Sequence, residues 1–463
     1  MQNPSIWARE LVSDAKLGDA RRVARLVEMV EQAALRPAGR VTEVFEGPAA
    51  RQAAYDLLES EHVCPEQLTA AVGRATARAC DELQRALVVL DGTSLTFPDS
   101  YDSKGLGHIG SIGSGARGLK LINAIAVSPT GVPMGVADQN WWTRTERAPR
   151  GVYRRIDDRE SARWRECVAR VGDRFAALAP ETKLHFIADR EGDAALLMRA
   201  IEQGGHEFTI RSNANRRVVG RSGPVRIRPV LARKTPLAML RVTLPRTPHR
   251  AERIAKLTIR VAKLDVRMRD HFTQQVRIVP LTYVWARETS RPGDGVDWML
   301  ATNTSVTTAN EALETVRRYT LRWRIEDHHR TWKSGLCNVE RSQLRSVGAL
   351  TKWATILAAV AARAETLRHH ARTTPDAPAE SVLADHEIDA LIFMKTRQKS
   401  RVEVVSADGL TVAKAVRWIA DLGGYVGSKS SGQPGPTTIG RGLARLLPAA
   451  EVFAALHPRR KKR

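Results

Sequence analysis

The chain has 463 residues, room for about two to four domains each with its own core. Lys and Arg number 73 against 50 Asp and Glu, and the resulting net charge of +23 points to a polyanionic partner, nucleic acid first and anionic membrane second. Cys64, Cys80, Cys167 and Cys337 form no CxxC pair, which argues against a zinc site or a disulfide framework and fits a reducing cytosol. The N-terminal residues lack a basic-then-apolar signal pattern, and no window approaches about 18 consecutive apolar residues, so the expectation is a soluble, cytoplasmic protein.

Residues 1–78 read as helical. Val23, Leu26, Val27 and Val30 recur at helical spacing, with Asp19 as the predicted N-cap. Arg21, Arg22 and Arg25 make this block a candidate DNA-reading module, although basic helices without that task are common. From Leu83 the pattern changes. Arg85–Leu90 is an apolar run of strand length with Asp91 at its end, Leu121–Val127 is a second strand, and Ser128–Gly131 turns into a third around Val132–Val136. Arg159–Leu178 reads as a helix, Lys183–Ala188 as a fourth strand ending at Asp189, Ala194–Glu202 as a helix and Glu207–Arg211 as a fifth strand. Residues 213–302 alternate in polarity and read as an inserted β region. Helices follow from Asn310 to Arg318 and from Thr351 to Ala371. A Thr-Pro-Asp-Ala-Pro linker near residue 375 opens a C-terminal helical segment, which ends in the basic run His457–Arg463, a pattern that is often no more than a solvated tail.

The stretch Tyr319–Gly335 is predicted to be a single helix. On it Tyr319, Arg322, Glu326, Arg330 and Lys333 recur at i, i+3, i+7, i+11 and i+14, which puts one carboxylate, three cations and a phenol on one stripe. A solvated surface helix is the plain alternative. The neighbouring His328 and His329 diverge by about 100° on a helix, which argues against a shared metal. Asp91 and Asp189 each close an apolar strand. Three acids brought together with Glu326 could not all stay ionised without cations, and two divalent ions about 3.5–4 Å apart would satisfy them and clamp a phosphodiester.

The order of elements, with acids on the first strand, the fourth strand and a late helix, is that of ribonuclease H. The chain resembles bacterial cut-and-paste DDE transposases of the insertion-sequence group whose signature is Y-x2-R-x3-E-x6-K, present here as Tyr319, Arg322, Glu326 and Lys333. The similarity extends to LDGTSLTF around Asp91, ADREGD around Asp189, Trp141-Trp142, WMLATN with Trp298, LGDARRVARL near the start and LGGYVGSKSSGQPG near the end. It implies an α/β protein with three parts. These are an N-terminal helical DNA-binding domain (1–78), a ribonuclease H-like catalytic core (79–372) carrying the β insertion, and a C-terminal helical dimerisation domain (373–463).

The resemblance also implies that Asp91, Asp189 and Glu326 are catalytic and bind two Mg²⁺, with Mn²⁺ as a substitute. Tyr319, Arg322, Arg330 and Lys333 would hold phosphates of double-stranded DNA. Trp298 would stack on a flipped base or else be a core tryptophan, and Arg211 would be a DNA contact or a plain surface arginine. Implied partners are transposon ends with terminal inverted repeats, target DNA and a second copy of the chain in a synaptic complex. The implied activity is strand cleavage, hairpin formation and strand transfer by a cytoplasmic, nucleoid-associated enzyme. A silent end-binding relative and a nuclease that cuts without joining are the alternatives. The chain departs from the family's pattern at Asn123, where histidine is frequent, and at Ile439, where tryptophan is frequent.

Overall fold

A computed structural model describes residues 4–99, 104–110, 115–144, 160–220, 223–244, 252–269, 275–291, 295–397, 409–427 and 433–456. The run His457–Arg463 and part of the C-terminal Gly/Ser-rich motif lie outside the described residues.

The N-terminal block is helical as expected, with α1 (Pro4–Val12), α2 (Ala20–Leu35), α3 (Val41–Val44), α4 (Pro48–Glu59) and α5 (Pro65–Ala79). Asp19 caps α2, its carboxylate accepting the Arg21 amide at 2.8 Å. Leu26, Met29, Val30 and Ala33 form the buried face of α2, at the spacing a helix needs to bury one stripe. These helices share one core with a later helix, α11 (Val347–Thr373). Trp353 of α11 donates its indole N–H to the Gly39 carbonyl at 2.8 Å. Lys352 places its ammonium on the carbonyls of Leu58 and Ser60, where the last turn of α4 leaves acceptors unpaired.

The sheet begins with β1 (Arg85–Thr96), β2 (Gly107–His108), β3 (Arg117–Val127) and β4 (Pro133–Trp142), followed by α6 (Ala162–Leu178), β5 (Lys183–Ala188), α7 (Ala195–Gln203) and β6 (Glu207–Arg211). The β3–β4 turn closes with the Gly131 amide on the Ser128 carbonyl, and Gly131 takes φ 93°, a conformation that suits glycine. β1 pairs antiparallel with β3 and parallel with β5, and β5 pairs parallel with β6. The parallel steps need crossover helices, which α6 and α7 supply.

Residues 213–302, read from the sequence as an inserted β region, form strands that extend this same sheet. β7 (Arg217–Gly220), β8 (Gly223–Arg226), α8 (Ile227–Ala232), β9 (Ala238–Leu244), β10 (Arg253–Arg269), β11 (Val276–Arg287) and β12 (Asp297–Thr302) follow in order. β12 lies antiparallel to β6, giving a 12-stranded sheet with the path β2-β3-β1-β5-β6-β12-β11-β10-β7-β8. The cause is two-sided burial. Tyr283, Trp285, Met299 and Ala301 face the layer of α6 and α7, while Val284, Ala286, Trp298 and Leu300 face the opposite layer.

That opposite layer contains α9 (Ala309–Thr320) and α10 (Trp323–Lys333), and is continued by α11. α9 starts with a capping box, in which Glu311 accepts the Thr308 amide at 2.9 Å and returns its own amide to Thr308 Oγ1 at 3.2 Å. The predicted single helix from Tyr319 is broken. Leu321 and Arg322 form a tight turn with the i→i−3 bonds Leu321 N to Arg318 O and Arg322 N to Tyr319 O, so Tyr319 belongs to α9 and Glu326 to α10. α11 is long and apolar enough by composition to cross a membrane, but 83% of that window is buried inside the protein, which marks it as a core helix. α12 (Asp385–Arg397), α13 (Val412–Leu422) and α14 (Pro436–Leu456) form a further core with Leu35 and Leu367. Ile439 is buried within it.

Candidate active site

The register of the central strands builds the site. The parallel ladder of β1 and β5 ends at the pair Leu90↔Ala188, so Asp91 on β1 and Asp189, just past the end of β5, come next. Asp91 is not at the end of its strand, as expected from sequence. β1 continues to Thr96 along β3, and Asp91 stands where the parallel partner stops. Beyond Ala188 the chain turns into a short 3₁₀ segment, Arg190–Gly192, whose Glu191 amide is capped by Asp189 Oδ1 at 2.8 Å.

Glu326 arrives from α10 on the facing layer. Its carboxylate pairs with Arg322 Nη2 at 2.5 Å, one helical turn back. Lys333, at the other end of α10, donates to Thr93 Oγ1 on β1 at 2.7 Å, so α10 lies along the strand that carries Asp91. The Asp91 side chain is only 16% exposed. Burial, joined by the charges of Asp189, Glu191 and Glu326, pushes its carboxyl up from 3.8 to about 7, while Arg322 opposes the shift. Glu191, which sequence reasoning did not single out, is thus a fourth carboxylate at this point. It comes close because position 92 is glycine, since a Cβ there would stand 3.1 Å from Glu191 Oε2.

The cations lie on the Glu326 side. Arg211 is half-buried rather than on an open surface. It donates to the Asp297 carbonyl at 3.1 Å and hydrogen-bonds the Tyr319 hydroxyl. Arg190 and Arg322 both lie within electrostatic reach of it. Burial raises the Tyr319 phenol against the opposing pull of Arg322 and Arg211, which keeps it protonated. Arg330 stands apart from this convergence, with its side chain 61% exposed and 3.6 Å from Asp327. Trp298 is 8% exposed and packs edge-on against Tyr319 with ring centroids 5.5 Å apart, in the core beneath α9. On α2, Arg21 is exposed and pairs with Asp19, Arg22 reaches the Leu17 carbonyl, and Arg25 pairs with Glu28.

The adjacent histidines separate as expected. His328 stacks on Trp332, and burial holds its imidazole down at about 3, a neutral core residue. His329 turns toward the site, with Nδ1 3.8 Å from Asp91 Oδ2 and Nε2 accepting from Asn123 Nδ2 at 3.2 Å. Asn123 is opposite Asp91 in the β1–β3 ladder and accepts in turn from Gln139 Nε2 at 3.4 Å. Contacts of this kind join residues about 200 positions apart, and no local signal announces them.

Among the described residues, one set of three potential ligands has its donor atoms within 4.8 Å of one another, and it is Asp327, Glu365 and His369 rather than the strand acids. That set is already served by a protein cation, since Arg368 Nη2 lies 2.5 Å from Asp327 and 2.6 Å from Glu365. Asp91, Asp189, Glu191 and Glu326 form the set that protein cations leave short of charge. Arg322 and Lys333 both lie within electrostatic reach of Asp91, and they do not bring that carboxyl back to its ordinary value. Their donors are all carboxylate oxygens, the chemistry that hard divalent ions such as Mg²⁺ and Mn²⁺ prefer, so the residues fit such ions.

A cluster of carboxylates flanked by arginines, a lysine and a phenol belongs to the class of sites that work on phosphodiesters. Residues 160–362 match the family model described as Transposase DDE domain, and residues 4–63 match that described as Transposase DNA-binding. The chain therefore carries a DNA-binding domain ahead of a DDE domain, and the two support a DDE transposase, a metal-dependent enzyme that acts on DNA. The DDE match includes Asp189 and Glu326 but begins after Asp91, which only the β1–β5 register brings to them. The DNA-binding match ends before α5, and α5 packs on β4 and α6 of the sheet.

Proposed function

We propose that the chain is a cut-and-paste transposase, with Asp91, Asp189 and Glu326 as its catalytic carboxylates. The observation that carries this is the placement of Asp91 on β1 and Asp189 just past β5, each directly after the last pair of the parallel β1–β5 ladder, with Glu326 brought to them by α10. The strand order β4-β3-β1-β5-β6, antiparallel and then parallel, supports a ribonuclease H-like core. The carboxylates would hold two Mg²⁺, which when bound polarise a phosphodiester and the attacking oxygen.

The protein's own residues do the rest. Arg322 is oriented by its bond to Glu326, so its guanidinium is fixed at the edge of the acid cluster and available to a phosphate oxygen. Tyr319 and Arg211 hold each other beside it. Lys333 carries an ammonium whose pKa burial lowers, and its bond to Thr93 is one that a phosphate oxygen can replace. Cleavage would transfer one strand's phosphate to water and release a 3′-hydroxyl. That hydroxyl would attack the opposite strand to close a hairpin, which is reopened before joining to target DNA. Exposed Arg21 and its neighbours Arg22 and Arg25 on α2 would contact the terminal inverted repeats, with Arg330 at the rim of the site. A base-stacking role for Trp298 requires its ring to come away from Tyr319. The C-terminal helices, which expose Phe393, Val452 and Leu456, suit pairing with a second copy. This reading places the protein in the cytoplasm, on DNA.

Glu326→Gln tests the assignment. Strand scission should disappear while binding to transposon-end duplex stays within about twofold, since one neutralised acid adds no phosphate repulsion. Loss of binding together with loss of fold would make Glu326 a structural residue.

A further inference from the structure

The cluster behind α10 has no part in the chemistry above, yet it ties the catalytic helix to the core. Asp327 follows Glu326 directly and points to the other side, onto α11. There Arg368 bonds Asp327 at 2.5 Å and Glu365 at 2.6 Å, and its Nε gives a second bond to Glu365 at 2.8 Å. Thr331, one turn along α10, donates its hydroxyl to the other oxygen of Glu365. His369 Nε2 completes the group, 3.1 Å from Arg368 Nη2 and 3.7 Å from Asp327. The side chains of Glu365, Arg368 and His369 are almost wholly buried.

The same carboxylates could be read as a metal site, but the surrounding charge argues otherwise. Besides Arg368, the guanidinium groups of Arg324, Arg330 and Arg372 all act on this cluster, so a divalent ion would enter an environment that is already cationic. A forked guanidinium bonded to two carboxylates supplies both charge and direction, which an ion would otherwise provide. Buried ion pairs of this sort contribute little net stability over an apolar replacement, so geometry is the more credible reason for one here.

We infer that Arg368, clamped between Asp327 of α10 and Glu365 of α11, is a positioning residue that sets the rotation of α10 and so the placement of Glu326 at the acid cluster. The inference rests on Glu326 serving as a metal ligand. Rotation matters because Glu326 and Asp327 are about 100° apart on the helix, so fixing one fixes the other. At its far end α10 is held by the Trp332 indole on the Ala354 carbonyl at 2.9 Å, and at its start by Arg324 on the Gly131 carbonyl at 2.8 Å. Glu326 lies in the first turn of α10 with Arg324, and Asp327, next to it, is the residue through which Arg368 holds that turn against α11.

The test is Mn²⁺ binding to the full chain, followed by electron paramagnetic resonance without DNA. The triple variant Asp327→Asn, Glu365→Gln, Arg368→Met removes the buried charges together and should keep the fold. Its Mn²⁺ affinity should fall by about tenfold or more, the range seen when groups that orient metal ligands are lost. A folded triple variant with wild-type Mn²⁺ affinity overturns the inference. Should the triple variant not fold, Arg368→Lys keeps the charge and loses the fork. A weaker Mn²⁺ midpoint in it supports the clamp, and an unchanged midpoint overturns it. The variant Asp91→Asn, Asp189→Asn, Glu326→Gln should bind no Mn²⁺. Retained binding that disappears with Glu365→Gln would make the cluster a metal site and refute the role given to Arg368. Normal Mn²⁺ binding by a wild-type chain that cuts no DNA would defeat the transposase reading while leaving the clamp intact.

Discussion

Asp91→Asn should make the metal-free protein more stable while removing its activity, and the gain should depend on pH. The carboxyl at Asp91 moves from 3.8 in the unfolded chain to about 7 in the folded one, chiefly through burial and then through Asp189, Glu191 and Glu326. Between pH about 4 and about 7 the folded protein keeps a proton on Asp91 that the unfolded chain has released. Stability therefore falls as pH rises through that window and levels off above it. At about 1.4 kcal/mol per tenfold change in proton affinity, the full penalty above pH 7 is about 4 kcal/mol, an upper bound because water reaches part of the group. Asparagine keeps the shape and carries no charge. In chelator, urea denaturation should find Asp91→Asn more stable than wild type by about 2–4 kcal/mol at pH 8, with the difference closing toward pH 4. Mg²⁺ should stabilise the wild type at pH 8 far more than the variant. Parallel pH curves with the variant less stable throughout would mean that ionised Asp91 is held by favourable bonds, and the description of an acid cluster short of cations would be wrong.

Lys333→Ala should lower the slope of log K against log salt for end binding by about 0.9, the value for one phosphate contact on duplex DNA, as read from titrations between low and moderate salt. An unchanged slope would remove Lys333 from the phosphate contacts and leave it as a link between α10 and Thr93. Gly442→Ala should destabilise the C-terminal helices by about 3 kcal/mol, visible as a lower melting temperature, because the added Cβ would sit 1.7 Å from the Ile419 carbonyl where α13 and α14 touch. A melting temperature equal to wild type would show that the two helices do not pack this closely.

What could be read from the sequence, and what could not, follows from the range of each interaction. Asp91 and Asp189 stood out because each follows an apolar run of strand length, and strand burial is a local signal. Asp19 could be named as a cap because capping acts over two residues. The break at Leu321 and Arg322 left no trace, since neither residue disfavours a helix. The turn arises because Tyr319 packs on Trp298 from one layer while α10 must lie along β1. The continuity of residues 213–302 with the main sheet was hidden because alternating polarity marks a strand without naming the strand it pairs with. The pairing of β12 with β6 makes that link. Glu191, Thr93, His329 and the Arg368 clamp reach their partners across the fold, and composition or spacing cannot announce such contacts.

The central claim is tested most directly on DNA. The sequence flanking the gene is searched for short inverted repeats, which are built into a labelled linear duplex and incubated with purified protein and Mg²⁺, with Glu326→Gln as control. Hairpin-ended fragments on a denaturing gel with the wild type alone are the result expected of a cut-and-paste transposase working through Asp91, Asp189 and Glu326. Binding without strand scission in either Mg²⁺ or Mn²⁺ would contradict it and leave a silent end-binding protein, and nicks that never progress to hairpins would leave a nuclease.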